Sequence, residues 1–274
     1  MKKIILTGRA TTDGAGVKLF RVFANDTAEL TDPFLLLDNF GSDNPTDYIK
    51  GFPWHPHRGI ETVTYMLDGK VEHQDSIGNK GAIKPGDVQW MTAGNGVLHQ
   101  EMPKPLKGPT MSGLQLWVNL PARNKMMAPR YRGIMDEDIP IITNHGLEIR
   151  VIAGAYQNLT GPVKDLVVDT EYFDITLAQG TAFTHPVKKG YTTICYLLAG
   201  AGDFSGSNLG RRQLVLFKDA SDIKIRATEN LRFMLASGKP IKEPIAWGGP
   251  IVMNTPEELK LAYEELSNNT FIKQ

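Results

Sequence analysis

The sequence predicts an all-β protein made of two tandem small β-barrels, with a short α-helix at its C-terminal end. Three observations carry this expectation. Short segments with period-two alternation, punctuated by turn residues, recur along most of the 274 residues. The stretch Thr62-Val63-Thr64-Tyr65-Met66-Leu67-Asp68-Gly69 is echoed by Thr193-Ile194-Cys195-Tyr196-Leu197-Leu198-Ala199-Gly200, an offset of 131 residues and about the length of one small barrel. Near the end the period changes from two to that of a helix.

In chain order, Met1-Lys2-Lys3 is followed by only three apolar residues, Ile4 to Leu6, too few for a signal peptide or a membrane helix, so a cytoplasmic protein is expected. Glu61–Leu67 and Lys70–His73 flank Asp68-Gly69, which reads as a hairpin because both central residues of a type I′ turn need positive φ. Lys84-Pro85-Gly86-Asp87 is a second turn, leading into Val88–Met91. Between Ser112 and Leu120, Leu114, Leu116, Val118 and Leu120 alternate with Gln115, Trp117 and Asn119, a strand with one buried face.

Pro121–Tyr131 has two prolines and little periodicity and reads as a connector over the surface. The expected domains are therefore residues 1–131 and 132–274, with the second barrel starting near Leu147. Thr255-Pro256-Glu257-Glu258 supplies an N-cap, a proline at the first helical position and a capping-box glutamate, so a helix is expected over 255–267. Its apolar face is Leu259, Ala262, Tyr263 and Leu266; the sequence does not say which barrel covers it.

Composition narrows the function classes. Hydrophobic residues are 41% and charged residues 22%, the balance of a globular protein. Thirty basic residues match thirty acidic ones, so no overall field draws the chain to nucleic acid or to anionic lipid. The single cysteine, Cys195, excludes an internal disulfide and a thiolate zinc site, and its apolar surroundings read as core.

Three of the six histidines fall into two tight patterns, His55-Pro56-His57 and His99-Gln100-Glu101. In a strand, residues i and i+2 share a face, so each pair aims at one point. The turns between the pairs can fold the second beside the first. Metal bonds to nitrogen and oxygen need such convergence, and His55, His57, His99 and Glu101 are the expected ligands of one divalent ion. His73 is expected to face solvent or the pocket edge, His145 to lie in a turn, and His185, with Val187 at i+2, to have no ligand role.

His55-x-His57-x-x-x-Glu61, followed by Pro85-Gly86-Asp87 and His99, resembles the two motifs of the cupin superfamily. More narrowly, Asp32–Asp38, Phe52–Val63, Met91–Glu101 and Gly248–Thr255 resemble the pirin family, nearly end to end. The resemblance implies two cupin, jelly-roll-like barrels with metal in the N-terminal one only, and family ligands on His55, His57, His99 and Glu101. A generic cupin would use Glu61 as the carboxylate ligand. Glu101 has strand spacing from His99, whereas Glu61 stands four residues from His57, on the same face but further away. Glu61 is then expected to hold a histidine N–H or an arginine. Shifting the set by 131 residues reaches Pro186, Lys188, Asn230 and Arg232; aligning Gly86 to Arg212 instead takes the second pair to Ile225 and Ala227. Neither restores a site in the second barrel.

The resemblance implies Fe²⁺ as the metal, while nitrogen and oxygen donors also suit Mn, Co, Ni, Cu or Zn. It implies a dioxygenase that opens the central ring of quercetin-like flavonols with O₂, Glu101 being ligand and base together, and the loop Met91–Gly96 bordering the pocket mouth. The alternative it carries is a metal-dependent regulator that binds a protein partner; a non-oxidative cupin isomerase is a third. A monomer is expected, without nucleic-acid or membrane binding.

Overall fold

The computed structural model describes residues 1–273, almost all of its regular structure β. None of the described helices is long and apolar enough to cross a membrane. The chain forms two compact units that are not the contiguous halves 1–131 and 132–274. One comprises Arg9–Leu30, Phe34–Asp136 and Ile241–Gln274, the other Met1–Gly8, Thr31–Pro33 and Glu137–Pro240.

The first unit holds a seven-stranded antiparallel sheet in the order Arg130–Ile134, Val88–Thr92, Ile60–Asp68, Met111–Asn119, Phe34–Ser42, Val17–Phe23, Arg9–Asp13. A four-stranded sheet, ordered Phe52–His57, Val97–Lys104, Lys70–Asp75, Lys80–Ile83, packs on it. Val71 and Ile83 of the small sheet meet Val17, Leu19, Phe40, Met66 and Met111 of the large one in a buried cluster. Alternation along each strand puts these residues on the inner faces.

The second unit repeats the plan: Lys2–Thr7, Gln213–Lys218, Thr192–Ala199, Leu231–Gly238, Thr170–Leu177, Leu147–Ala153, Ile141–Asn144, with a four-stranded sheet of Ala182–Pro186, Asp222–Ala227, Ala201–Phe204 and Asn208–Gly210. The internal duplication is thus visible strand by strand. The N-terminal strand Lys2–Thr7 pairs with Gln213–Lys218 and so completes the second barrel, not the first.

Two expectations change in detail. Asp68-Gly69 is not a hairpin: Ile60–Asp68 pairs with Met111–Asn119 and Val88–Thr92, while Lys70–Asp75 pairs with Val97–Lys104 and Lys80–Ile83. Of the two central residues only Gly69 has positive φ, 73°. The pair is a corner where the chain leaves one sheet for the other, as barrel closure requires. The connector is likewise not loose, since Ala122–Lys125 is a helical turn and Arg130–Ile134 an edge strand.

The C-terminal segment completes the first unit. Thr255 caps the helix Pro256–Ser267 in a full capping box with Glu258. Ala262 on its apolar face is buried against Ile251, Met253 and Phe271, with Leu259 and Leu266 packed on the same cluster. The buried Lys125 donates from Nζ to Gly59 O (2.8 Å), Asn119 Oδ1 (2.7 Å) and Val252 O (3.0 Å), tying this segment to the turn after His57. Lys125→Met leaves three buried acceptors unpaired and is expected to destabilise the fold by about 2–4 kcal/mol. An unchanged urea midpoint would contradict that role.

Candidate metal centre

Phe52–His57 and Val97–Lys104 run antiparallel with His99 directly opposite His55. One nitrogen from each of His55, His57 and His99 lies within 4.8 Å of the others, and the ring centroids are 4.3–5.0 Å apart. The i, i+2 spacing therefore does bring three histidines to one point. A register shift between His99 and Glu101 sets Glu101 opposite Phe52, and Glu101 is not in the 4.8 Å group. Its carboxylate lines the same cavity, with Thr64 Oγ1 at 3.1 Å from Oε1.

Hydrogen bonds define the ring tautomers. His55 Nδ1–H donates to Pro53 O (2.8 Å) and His57 Nδ1–H to Pro250 O (3.1 Å). A carbonyl can only accept, so each Nδ1 carries the proton and each Nε2 keeps its lone pair. His99 has no solvent exposure, and neither ring nitrogen has a hydrogen-bond partner. Burial lowers the pKa of all three: His57 to about 3, aided by the neighbouring His55, and His99 well below its usual value. Three neutral imidazoles with unused lone pairs, one wholly orphaned, fit a metal ion and fit a plain polar core poorly. Burial pushes Glu101 the other way, up to about 7.

Several other residues stand differently from expectation. Glu61 does so only in part: it is buried and bonds no histidine, but it holds an arginine, one of its two expected partners, accepting from Arg132 Nη2 (3.1 Å) as well as from Trp90 Nε1 (3.0 Å) and Thr92 Oγ1 (2.6 Å). Counting from His57 failed because Gly59, at φ 77°, turns the chain from the small sheet to the large one, where parity starts afresh. A Cβ there would sit 2.0 Å from Val252 O. His73 is not at the surface: it is buried, paired with Asp75 (3.0 Å) and Gln89 (3.0 Å), stacked on Tyr131 and 5.4 Å from the His99 ring. Gln89 and Tyr131 of the large sheet cover it, so alternation along its own strand could not show its burial. The loop Met91–Gly96 does not border the pocket. Met91 and Ala93 are wholly buried, and Gly96 packs against Phe271.

The cavity beside the histidines has a volume of about 720 Å³. Its walls include Phe40, Phe52, Trp54, Met111, Trp117 and Trp247, and His55, His57 and Glu101 open into it. That size and lining suit a drug-sized apolar ligand. Trp247 and Pro250 of the C-terminal segment escaped the motif reading. The one signal for them was the Gly248–Thr255 stretch of the family resemblance, which says nothing of a carbonyl aimed at His57.

Residues 16–118 match the pirin domain and residues 172–272 the pirin C-terminal cupin domain. A pirin-like protein of Caulobacter vibrioides is 42% identical over 97% of both chains. The chain belongs to the pirin family. A pirin-like protein of Solanum lycopersicum is 39% identical over 99% of this chain and 92% of its own. A crystal structure described as quercetin 2,3-dioxygenase from Acinetobacter baumannii superposes with a TM-score of 0.91 at 36% identity, covering 98% of this chain and 96% of that one.

The second barrel of this pirin lacks the site, and the ladders say which residues replace it. His185 pairs with Ile223 as His55 pairs with His99, and Phe204 pairs with Ile225 as His73 pairs with Glu101. The equivalents of His55, His57, His99 and Glu101 are therefore His185, Val187, Ile223 and Ile225: the 131-residue offset misses the first pair by one residue and the second by seven, and the alignment of Gly86 with Arg212 misses the second pair by two. The last three join an apolar core with Phe173, Phe183, Phe204 and Phe233. His185 is buried and bonded to Glu171 (3.0 Å). Cys195 lies in that core, its thiol pKa raised by burial, and is no nucleophile.

Proposed function

We propose that this pirin is a metal-dependent dioxygenase acting on quercetin-like flavonols. The observation that carries the reading is three converging histidines with free lone pairs, two of which open on an apolar cavity that also holds the Glu101 carboxyl group, its pKa raised to about 7. His55, His57 and His99 would hold one divalent transition metal, with Glu101 as the fourth ligand or as the base beside it; Fe²⁺ is the first candidate. When bound, such an ion supplies Lewis acidity for an enol oxygen and, if redox-active, a place for O₂.

The chain's own residues do the rest. Trp117, Trp247 and Phe52 exclude water and offer flat apolar walls to an aromatic substrate. Glu101, at a pKa of about 7, is matched to take an enol proton on its carboxylate at neutral pH. The tautomers of His55 and His57 are held by backbone carbonyls, so their donor atoms need no reorganisation.

The test is O₂ uptake on addition of quercetin to protein reloaded with Fe²⁺ under anaerobic conditions, beside Glu101→Ala. Uptake in the wild type that drops at least ~100-fold in the variant is expected. No uptake with metal bound would turn attention to a regulatory role with a protein partner.

A further inference from the structure

Across the large sheet of the first barrel, four polar residues stand directly opposite one another: Thr64 faces Gln115, Gln115 faces Asp38, and Asp38 faces Arg21. Directly opposed residues of antiparallel strands share a face, and all four line the cavity, as does Glu101 at one end and Asp13 at the other. Their i±2 neighbours on the same face, Leu19, Leu36, Phe40 and Trp117, are apolar and line it too. A single polar row thus crosses an otherwise apolar floor.

The row has a direction. Glu101, Thr64 and Asp38 are buried, the Arg21 side chain is 31% exposed and Asp13 51%. It therefore runs from beside the histidines to the mouth. From Thr64 to Asp38 is two strand spacings, roughly 9–10 Å, the reach of a two- or three-ring planar aromatic. Thr64 Oγ1 lies 2.6 Å from Gln115 Oε1, while Gln115 Nε2 bonds no protein group among the described residues. Asp38 takes Arg21 Nε on one oxygen (3.0 Å) and Nη2 on the other (2.7 Å), and each oxygen retains a second lone pair. An amide donor and a carboxylate with spare acceptor capacity, set among apolar walls, are the polar groups a cavity ligand would meet on this floor.

We propose that Gln115 and Asp38 are specificity-determining residues that select a planar aromatic ligand bearing hydroxyl groups at the end remote from the histidines. Gln115 Nε2–H donates to the oxygen of one of the ligand's distal hydroxyls, beside Asp38 on the neighbouring strand. The Asp38 carboxylate, held by Arg21, accepts from the distal hydroxyls. This inference rests on the flavonol reading above and adds to it the substrate class: ligands with a hydroxylated outer ring over those with a bare one.

The test measures dissociation constants by titration calorimetry on protein loaded with redox-inert Zn²⁺, so that ligand is bound and not consumed. Quercetin is compared with galangin, the flavonol whose pendant ring carries no hydroxyl. The expected result is at least about tenfold tighter binding of quercetin by the wild type. Gln115→Leu and Asp38→Asn should each bring that ratio to within about threefold of unity while galangin binding stays nearly constant. Melting curves report whether each variant folds, and Gln115→Leu, partly exposed and outside any ion pair, keeps the test open if Asp38→Asn unfolds. A selectivity ratio unchanged in Gln115→Leu, or equal wild-type affinity for the two flavonols, overturns the inference and leaves the flavonol reading standing. Wild-type protein that binds neither ligand overturns the flavonol reading itself.

Discussion

His99→Leu is expected to weaken metal binding by at least about a hundredfold, more than the ~10–100-fold typical of losing a group that merely supports a ligand. The same change should stabilise the metal-free protein. Both nitrogens of His99 are buried without a hydrogen bond, and removing an unpaired buried polar group recovers about 1–3 kcal/mol. For a chain of this length that is a rise of a few °C in Tm. The second barrel already makes the exchange, with Ile223 at the equivalent place in an apolar core. Calorimetric scans with and without metal separate the two effects. Wild type should gain stability from metal and the variant should not, while the variant melts higher without it. A variant that melts lower in both conditions would mean that His99 is a packing residue whose nitrogens are satisfied.

Metal uptake at pH 6 is expected to release about one proton per chain, falling towards none above pH 8. The signs follow from the directions of the shifts. His57, at about 3, and His99, well below its usual value, are already neutral at pH 6 and have no proton to give, and burial lowers His55 in the same direction. Glu101, raised to about 7, is mostly protonated at pH 6 and must lose its proton to serve as ligand or base. In Glu101→Gln the release should vanish. Calorimetry in buffers of different ionisation enthalpy measures it directly. Release of two or three protons at pH 6 would show that the imidazoles are charged in the metal-free protein and would overturn the electrostatic account.

The same shifts fix the pH dependence of the metal-free fold. A histidine with a lowered folded pKa contributes stability that is present above its unfolded value, near 6.5, and lost as pH falls towards the folded one. Glu101 works oppositely, its contribution being full below about 4.5 and lost as pH rises through about 7. Between pH 4.5 and 6.5 three histidines oppose one glutamate, so net stability should rise with pH.

How much of this was legible in the sequence depends on the range of the interaction. Alternation is a property of one strand, so the convergence of His55 with His57, and the faces of the strand from Ser112 to Leu120, could be read from spacing alone. Capping is also local, and Thr255, Pro256 and Glu258 start the helix where their chemistry requires. The duplicated barrel showed as a repeat because each copy must satisfy the same ladder. Pairing between distant strands is not local, and there the reading faltered. Asp68-Gly69 turns between two sheets instead of within one, and Gly59 resets the parity that would have kept Glu61 on the face of His57.

What the sequence by itself determined is the β architecture, the closing helix and the three histidines of the candidate centre. Only the tertiary structure decided which groups surround them: Pro250 O on His57, Trp247 on the cavity wall, and the opposed row of Thr64, Gln115, Asp38 and Arg21. The physical reason is that side-chain direction follows from a strand's own period, whereas register across a sheet and the packing of a C-terminal segment nearly two hundred residues away are set by the burial of the whole unit at once.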